Sequence, residues 1–188
     1  MNHFFEKIDG FSSFYEQGNL LYVVLNNLKP SNEKKINIAE IGVYKGKLTA
    51  LWNVELLNLK LNYDYYAIDT FEGSSEHVKN YDYYKETCNN LESIKNYIKI
   101  IKNESTIEAK NYPDEFFDFV YVDASHDYDS VTRDLETWYP KVKNNGIIAG
   151  DDYCQGWKDV ILAVNDFFKS EKLNLVSNQQ WWVKKINP

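Results

Sequence analysis

Two stretches of the chain end in groups that can do chemistry. The apolar run FDFVYVD (117–123) closes on Asp123, with His126 three residues further on, and NGIIAGDD (145–152) closes on Asp151 and Asp152. Three carboxylates brought to one place repel strongly unless a cation lies between them. Hard oxygen donors of this kind suit Mg²⁺, Mn²⁺ or Ca²⁺ rather than zinc. An imidazole beside such an ion, with an ordinary pKa of about 6.5, is a competent general base for a hydroxyl. The plain alternative is that Asp152 caps the next helix while Asp123 and His126 face solvent. Asp127 and Asp129 stand just before the helical pattern that starts near Ser130, where acids stabilise a helix N-terminus, and they are assigned to capping.

A second group lies earlier. AEIGVYKG (39–46) places Glu40, Gly42 and Gly46 around a strand-to-helix turn. The phosphate-binding version of this turn is G-x-G-x-x-G. Here Tyr44 occupies the middle glycine position and Glu40 adds negative charge. Such a turn is a poor pyrophosphate site and a better one for ammonium and hydroxyl groups. Asp69 ends the next strand, a little over 20 residues beyond the turn, which is the usual place for an acid that binds ribose hydroxyls. In KNESTIEA (102–109), Ser105 is placed either to touch a nucleobase edge or to cap a short helix. Tyr81 and Lys85 have the Y-x-x-x-K spacing of short-chain dehydrogenases, but they follow the second strand rather than the fifth, so the pair is a decoy.

These residues need a scaffold, and the apolar periodicities supply one. Helices are expected over 18–30 (stopped by Pro30), 47–59, 75–91, 105–109, 130–142 and 157–170. Strands are expected over 35–42, 63–69, 97–102, 116–123 and 145–152, with a closing antiparallel pair at 173–177 and 180–185. In the helix over 130–142, Val131, Leu135, Trp138 and Val142 share one face. Alternating strands and helices of this length predict an α/β fold: a Rossmann-like, doubly wound, mostly parallel sheet with helices on both faces. Ligands in such sheets sit beyond the carboxyl ends of the strands, where four of the five parallel strands carry an acid.

Composition narrows the function classes. The 188 residues suit a single domain, with 1–30 as an N-terminal helical segment and 36–188 as the core. A net charge of −7 and no Lys/Arg stripe exclude a nucleic-acid footprint. No apolar run approaches membrane length, the N-terminus lacks a signal pattern, and Cys88 and Cys154 have no metal-type spacing. The expectation is a cytoplasmic protein with reduced thiols and no membrane partner.

Taken together, EIGVYKG, AIDTFEG, FDFVYVDASHDYDSVTRDLETWYPKVKNNGIIAGDDY and GWKDVILAVNDFF resemble class I S-adenosylmethionine-dependent methyltransferases. The match is to the methyltransferase-24 family and, more distantly, to catechol and macrolide-sugar O-methyltransferases. The resemblance spans roughly residues 36–168 and is most specific from Asp118 to Tyr153. It implies a seven-stranded sheet with a reversed last strand. It implies that Glu40, Gly42 and Gly46 line the methionine end of the cofactor, Asp69 the ribose and Ser105 the adenine. It further implies that Asp123, Asp151 and Asp152 hold a divalent metal, Mg²⁺ by preference. His126 falls where the catechol enzymes carry a catalytic lysine, and Asp123 and His126 are the expected catalytic pair. The implied reaction is metal-assisted O-methylation of a hydroxyl on a sugar, glycan or small metabolite. An NAD(P)-dependent oxidoreductase and a non-catalytic cofactor-binding module are the alternatives. The acceptor pocket is expected from the N-terminal helix, the TFEGSSEH loop (70–77) and the region Cys154–Trp157, with a homo-oligomer as one way to complete it.

Overall fold

The computed structural model of the protein describes residues 1–10, 14–73, 78–177 and 179–186. The centre is a seven-stranded sheet in the order β3-β2-β1-β4-β5-β7-β6. Its strands are β1 (Ile36–Ile41), β2 (Tyr63–Asp69), β3 (Ile98–Lys102), β4 (Phe117–Val122), β5 (Val142–Gly150), β6 (Asn174–Val176) and β7 (Gln180–Lys184). The first five pair in parallel, and β7 runs antiparallel to both β5 and β6. From β1 the chain winds outward through β2 to β3, then crosses to the other side of β1 to begin β4. The β1/β4 junction is therefore the switch point, and a crevice opens there beyond the strand ends.

Each face of the sheet has its own apolar core. One joins Ile38, Tyr65, Phe119, Tyr121 and Ile147 to α1 (Asn19–Leu28) and α2 (Lys47–Asn58). The opposite core joins Ile41, Phe117, Val120 and Ile148 to α5 (Tyr128–Trp138) and α6 (Lys158–Phe167). The short helices α3 (Tyr83–Asn90) and α4 (Ser105–Glu108) complete the connections after β2 and β3. Apart from Glu40 and Asp118, the strand residues that β1 to β5 bury are apolar or aromatic on both faces, as a parallel sheet covered by helices requires.

Two helices are shorter than their patterns suggest. Of the segment 75–91, residues 75–77 lie outside the described residues, and α3 starts only at Tyr83. Asn80 takes a left-handed φ of 59°, and Asp82 then caps the helix by accepting a hydrogen bond from the Lys85 amide at 3.0 Å. Tyr81 thus precedes the helix that carries Lys85, and the two do not share a helical face. The helix expected over 130–142 begins earlier, at Tyr128, and ends at Trp138. Pro140 takes the chain into a 3-10 turn at Tyr139–Lys141, and Val142 opens β5 instead of extending the helical stripe. β5 absorbs the Asn145–Gly146 pair as an irregularity, with its register against β4 shifting between Phe117 and Phe119.

Candidate active site

The turn after β1 is held from both sides. Asp69, at the end of β2, accepts hydrogen bonds at Oδ2 from the Val43 amide (2.7 Å) and the Tyr44 amide (2.8 Å). Its Oδ1 accepts from the Phe71 amide at 2.6 Å. From α3, the Thr87 hydroxyl donates to the Tyr44 carbonyl at 2.6 Å, and the Asn90 amide group donates to the Lys45 carbonyl at 2.9 Å. These contacts stabilise Tyr44 at a left-handed φ of 52°, a conformation a non-glycine residue adopts only when its surroundings impose it. A carboxylate offers about four acceptor positions, so Asp69 keeps one beside Oδ1 for a hydroxyl.

Gly42 is required for a reason its motif does not disclose. With φ at +92°, a Cβ there would lie 1.9 Å from the Asp123 carbonyl oxygen. The missing side chain lets the end of β4 close on the end of β1, and the Asp123 amide donates to the Ile41 carbonyl at 2.8 Å. Gly46, at φ +82°, turns its α-carbon toward the Leu91 side chain, 2.8 Å from where a Cβ would sit, and precedes α2.

Glu40 lies under this turn, fully buried. Its Oε2 accepts from the Thr49 hydroxyl (2.7 Å) and the Tyr65 hydroxyl (2.7 Å), while Oε1 has no hydrogen-bond partner. Burial pushes its pKa up to about 8, against the lowering effect of the two hydroxyls.

Beyond β4 and β5, the structure brings together Asp123, His126 and Asp152. One ligand atom from each lies within 4.8 Å of the others. His126 Nε2 is 2.8 Å from Asp152 Oδ2, and the imidazole stacks on Trp157 with ring centres 3.9 Å apart and planes inclined by 21°. These three residues line a small crevice with Asp151, Val122, Ser125 and Trp181. Burial, and then the charges of Asp151 and Asp152, hold the Asp123 carboxyl well above the usual range for an aspartate. A bound cation would relieve that repulsion.

Asp151 lines the same crevice and is also bonded to neighbours outside the cluster. Its Oδ2 accepts from Gln17 Nε2 (2.5 Å) and the Tyr121 hydroxyl (3.2 Å), and its Oδ1 accepts from the Asp152 amide (2.9 Å). Asp152 sits at a left-handed φ of 60°, which sends the two neighbouring carboxylates in different directions. The tightest cation-type group is Asp123, His126 and Asp152, and Asp151 lines the crevice beside it. Ser105 is the first residue of α4 and its hydroxyl donates to Asp134, a buried acid on α5. Asp127 caps α5 by accepting from the Ser130 amide at 3.0 Å, and Asp129 lies in its first turn.

Several partners had no sequence signal. Gln17 comes from the π-helical turn Phe14–Gly18, yet it is buried beside Asp151. Its Oε1 accepts from Gln180 Nε2 (2.6 Å) and shares with Asp151 the single proton of the Tyr121 hydroxyl (3.2 Å), and its carbonyl accepts from the Trp52 indole (2.9 Å).

Residues 39–153, more than half of the chain, match the sequence profile of the methyltransferase-24 family, described as a methyltransferase domain. The chain belongs to this family of class I S-adenosylmethionine-dependent methyltransferases. A search of curated proteins by sequence returns no match. Solved structures share the fold. The O-methyltransferase NovP superposes with a TM-score of 0.70 at 16% identity, over 90% of this chain and 80% of its own. An S-adenosylmethionine-dependent O-methyltransferase from Thermotoga maritima gives 0.65 at 10% identity, over 97% and 69%. The S-adenosylhomocysteine-bound methyltransferase PaMTH1 from Podospora anserina gives 0.65 at 16% identity, over 91% and 78%. Membership in this family disfavours the nicotinamide alternative. Among the described residues, no helix is long and apolar enough to cross a membrane, and Cys88 and Cys154 are both free thiols.

Proposed function

We propose that the protein transfers a methyl group from S-adenosylmethionine to a hydroxyl of a small molecule, with a sugar or glycan as the leading acceptor class. The observation that carries this is the convergence of Asp123, His126 and Asp152 beyond β4 and β5, next to the switch point. The cofactor fits the residues on the β1/β2 side. The unpartnered buried Oε1 of Glu40 calls for a donor such as an ammonium group, and Asp69 has an acceptor position for a ribose hydroxyl. Ser105, tied to Asp134, is assigned to the adenine side, and Gly42 and Gly46 to shaping the turn beside the methionine end. When bound, the sulfonium supplies an already activated methyl group.

The chain's own part is to position and deprotonate the acceptor. Holding two reactants in line is worth about 7–11 kcal/mol in the best model systems. Asp152 fixes the imidazole ring through the 2.8 Å contact, and Trp157 packs flat against it, so His126 is oriented to take the hydroxyl proton. A divalent ion fits the carboxylates of Asp123 and Asp152, Mg²⁺ by preference, and His126 stays off the ion so that its ring nitrogen can take the proton. When bound, such an ion lowers the pKa of a hydroxyl. Asp151 takes a supporting role, holding the Asp152 amide and the Gln17 side chain.

Labelled methyl transfer to a panel of sugars and hydroxylated metabolites tests the assignment. His126→Ala and Asp123→Ala should each lower turnover by about 10²- to 10⁴-fold. Both should still bind S-adenosylhomocysteine. Full turnover of the wild type in chelator would remove the metal from the scheme. Failure to bind S-adenosylhomocysteine would overturn the methyltransferase activity itself.

A further inference from the structure

Glu40 is fully buried, and none of the groups acting on it is a cation. From α2 it meets the Thr49 hydroxyl. From β2 it meets the Tyr65 hydroxyl and, at longer range, the Asp69 carboxylate. At longer range the Glu40 charge adds a little to the rise of the Asp123 carboxyl, after burial and the charges of Asp151 and Asp152. Both hydroxyls donate to Oε2, which leaves Oε1 without a partner among the described residues. A buried carboxylate in company that is only neutral or negative is strongly disfavoured, and such a group keeps its proton.

We propose that Glu40 is a proton-linked anchor: the empty site holds a proton on Glu40, and a ligand bearing an ammonium group displaces that proton to solvent. This rests on the cofactor assignment above and adds the ionic state of the site to it. The proton balance does not depend on how the pair is drawn. A carboxylate against an ammonium and a carboxylic acid against an amine carry the same protons, and each is one short of the separated acid and ammonium. One proton therefore leaves on binding, and the ligand's charge is matched without a permanent buried charge in the empty protein.

The sign follows from the burial. Below about pH 8 the empty site is protonated, so binding strengthens as pH rises and levels off above that value. The slope is about tenfold in affinity per pH unit.

Calorimetric titration with S-adenosylhomocysteine, from about pH 6 to 9 in pairs of buffers with different ionisation enthalpies, measures the protons released. The wild type should release close to one proton per site near pH 7 and few above pH 8–9. Glu40→Gln should release none and show a flat affinity across the range. A des-amino analogue of S-adenosylhomocysteine should bind the wild type weakly and without release, which keeps the test valid if Glu40→Gln fails to fold. Release that persists with the analogue or in Glu40→Gln, or no release by the wild type, overturns the proposal while leaving the methyltransferase assignment intact. A wild type that binds no S-adenosylhomocysteine at any pH overturns both.

Discussion

Removing the Asp69 carboxylate should loosen the glycine turn before it affects anything else. Asp69 accepts from three backbone amides at 2.6–2.8 Å, two of them in the turn itself. Hydrogen bonds to a charged group contribute about 1.5–3 kcal/mol each, and an orphaned buried amide costs about 1–3 kcal/mol. Asp69→Ala removes all three acceptors at once. Because the residue is only half-buried, water can replace part of what is lost, and the expected destabilisation is about 3–5 kcal/mol. Asp69→Asn is the sharper probe. Its oxygen can keep the Val43 and Tyr44 amides, but its NH₂ group then faces the Phe71 amide, donor against donor. The expected loss is about 2 kcal/mol. Urea unfolding followed by tryptophan fluorescence reads both variants, with an unchanged denaturant slope as the check that the unfolded state is the same. S-Adenosylhomocysteine affinity should fall about tenfold or more in each, equivalent to about 1.4 kcal/mol for losing the hydroxyl acceptor. An Asn variant within about 0.5 kcal/mol of wild type would refute the bracing role, since surface substitutions fall in that range.

Two further perturbations probe the scaffold. Burial raises the Asp134 pKa from 3.8 to about 6, so the folded protein keeps a proton that the unfolded chain has lost. Stability should therefore fall as pH rises between those values. Asp134→Asn should be more stable than wild type by up to about 3 kcal/mol at pH 7 and about equal near pH 4, as thermal melts at the two pH values will show. A variant with the wild-type pH slope would mean that Asp134 does not carry it. Gly42→Ala places a methyl 1.9 Å from the Asp123 carbonyl oxygen at a φ of +92°. The combined strain and overpacking should cost about 3 kcal/mol or more and separate the ends of β1 and β4. A melting temperature within about 2 °C of wild type would contradict this packing.

The sheet was legible because its signals are local. Apolar runs such as KINIAEIG and FDFVYVD each specify a buried strand, and their terminal acids fall at the carboxyl ends for that reason alone. The helix boundaries were less legible. Val142 keeps helical phase with Val131, Leu135 and Trp138, so periodicity alone extends the helix through Pro140. Asp151 and Asp152 show a different limit. Both line the crevice, but Asp151 also reaches Gln17 while Asp152 meets His126 at a left-handed backbone, and no pattern of residue types encodes that division. Tyr65 on Glu40, Asp134 on Ser105, and Gln17 on Asp151 are contacts between distant segments. From sequence, each looks like an ordinary polar residue.

The Gln17 contacts carry a consequence for the order of assembly. Its partners Asp151 and Gln180 lie 134 and 163 residues further along the chain. Synthesis therefore delivers the Gln17 side chain long before Asp151 and Gln180 exist for it to bind, although its carbonyl can meet the Trp52 indole early, and contacts this distant are slow to form. Contacts with α2 can hold the first residues early, but the Gln17 side chain gains its full set of partners only after β5 and β7 have joined the sheet. A chain halted before β7 should therefore be more open to protease around Gln17 than the complete fold.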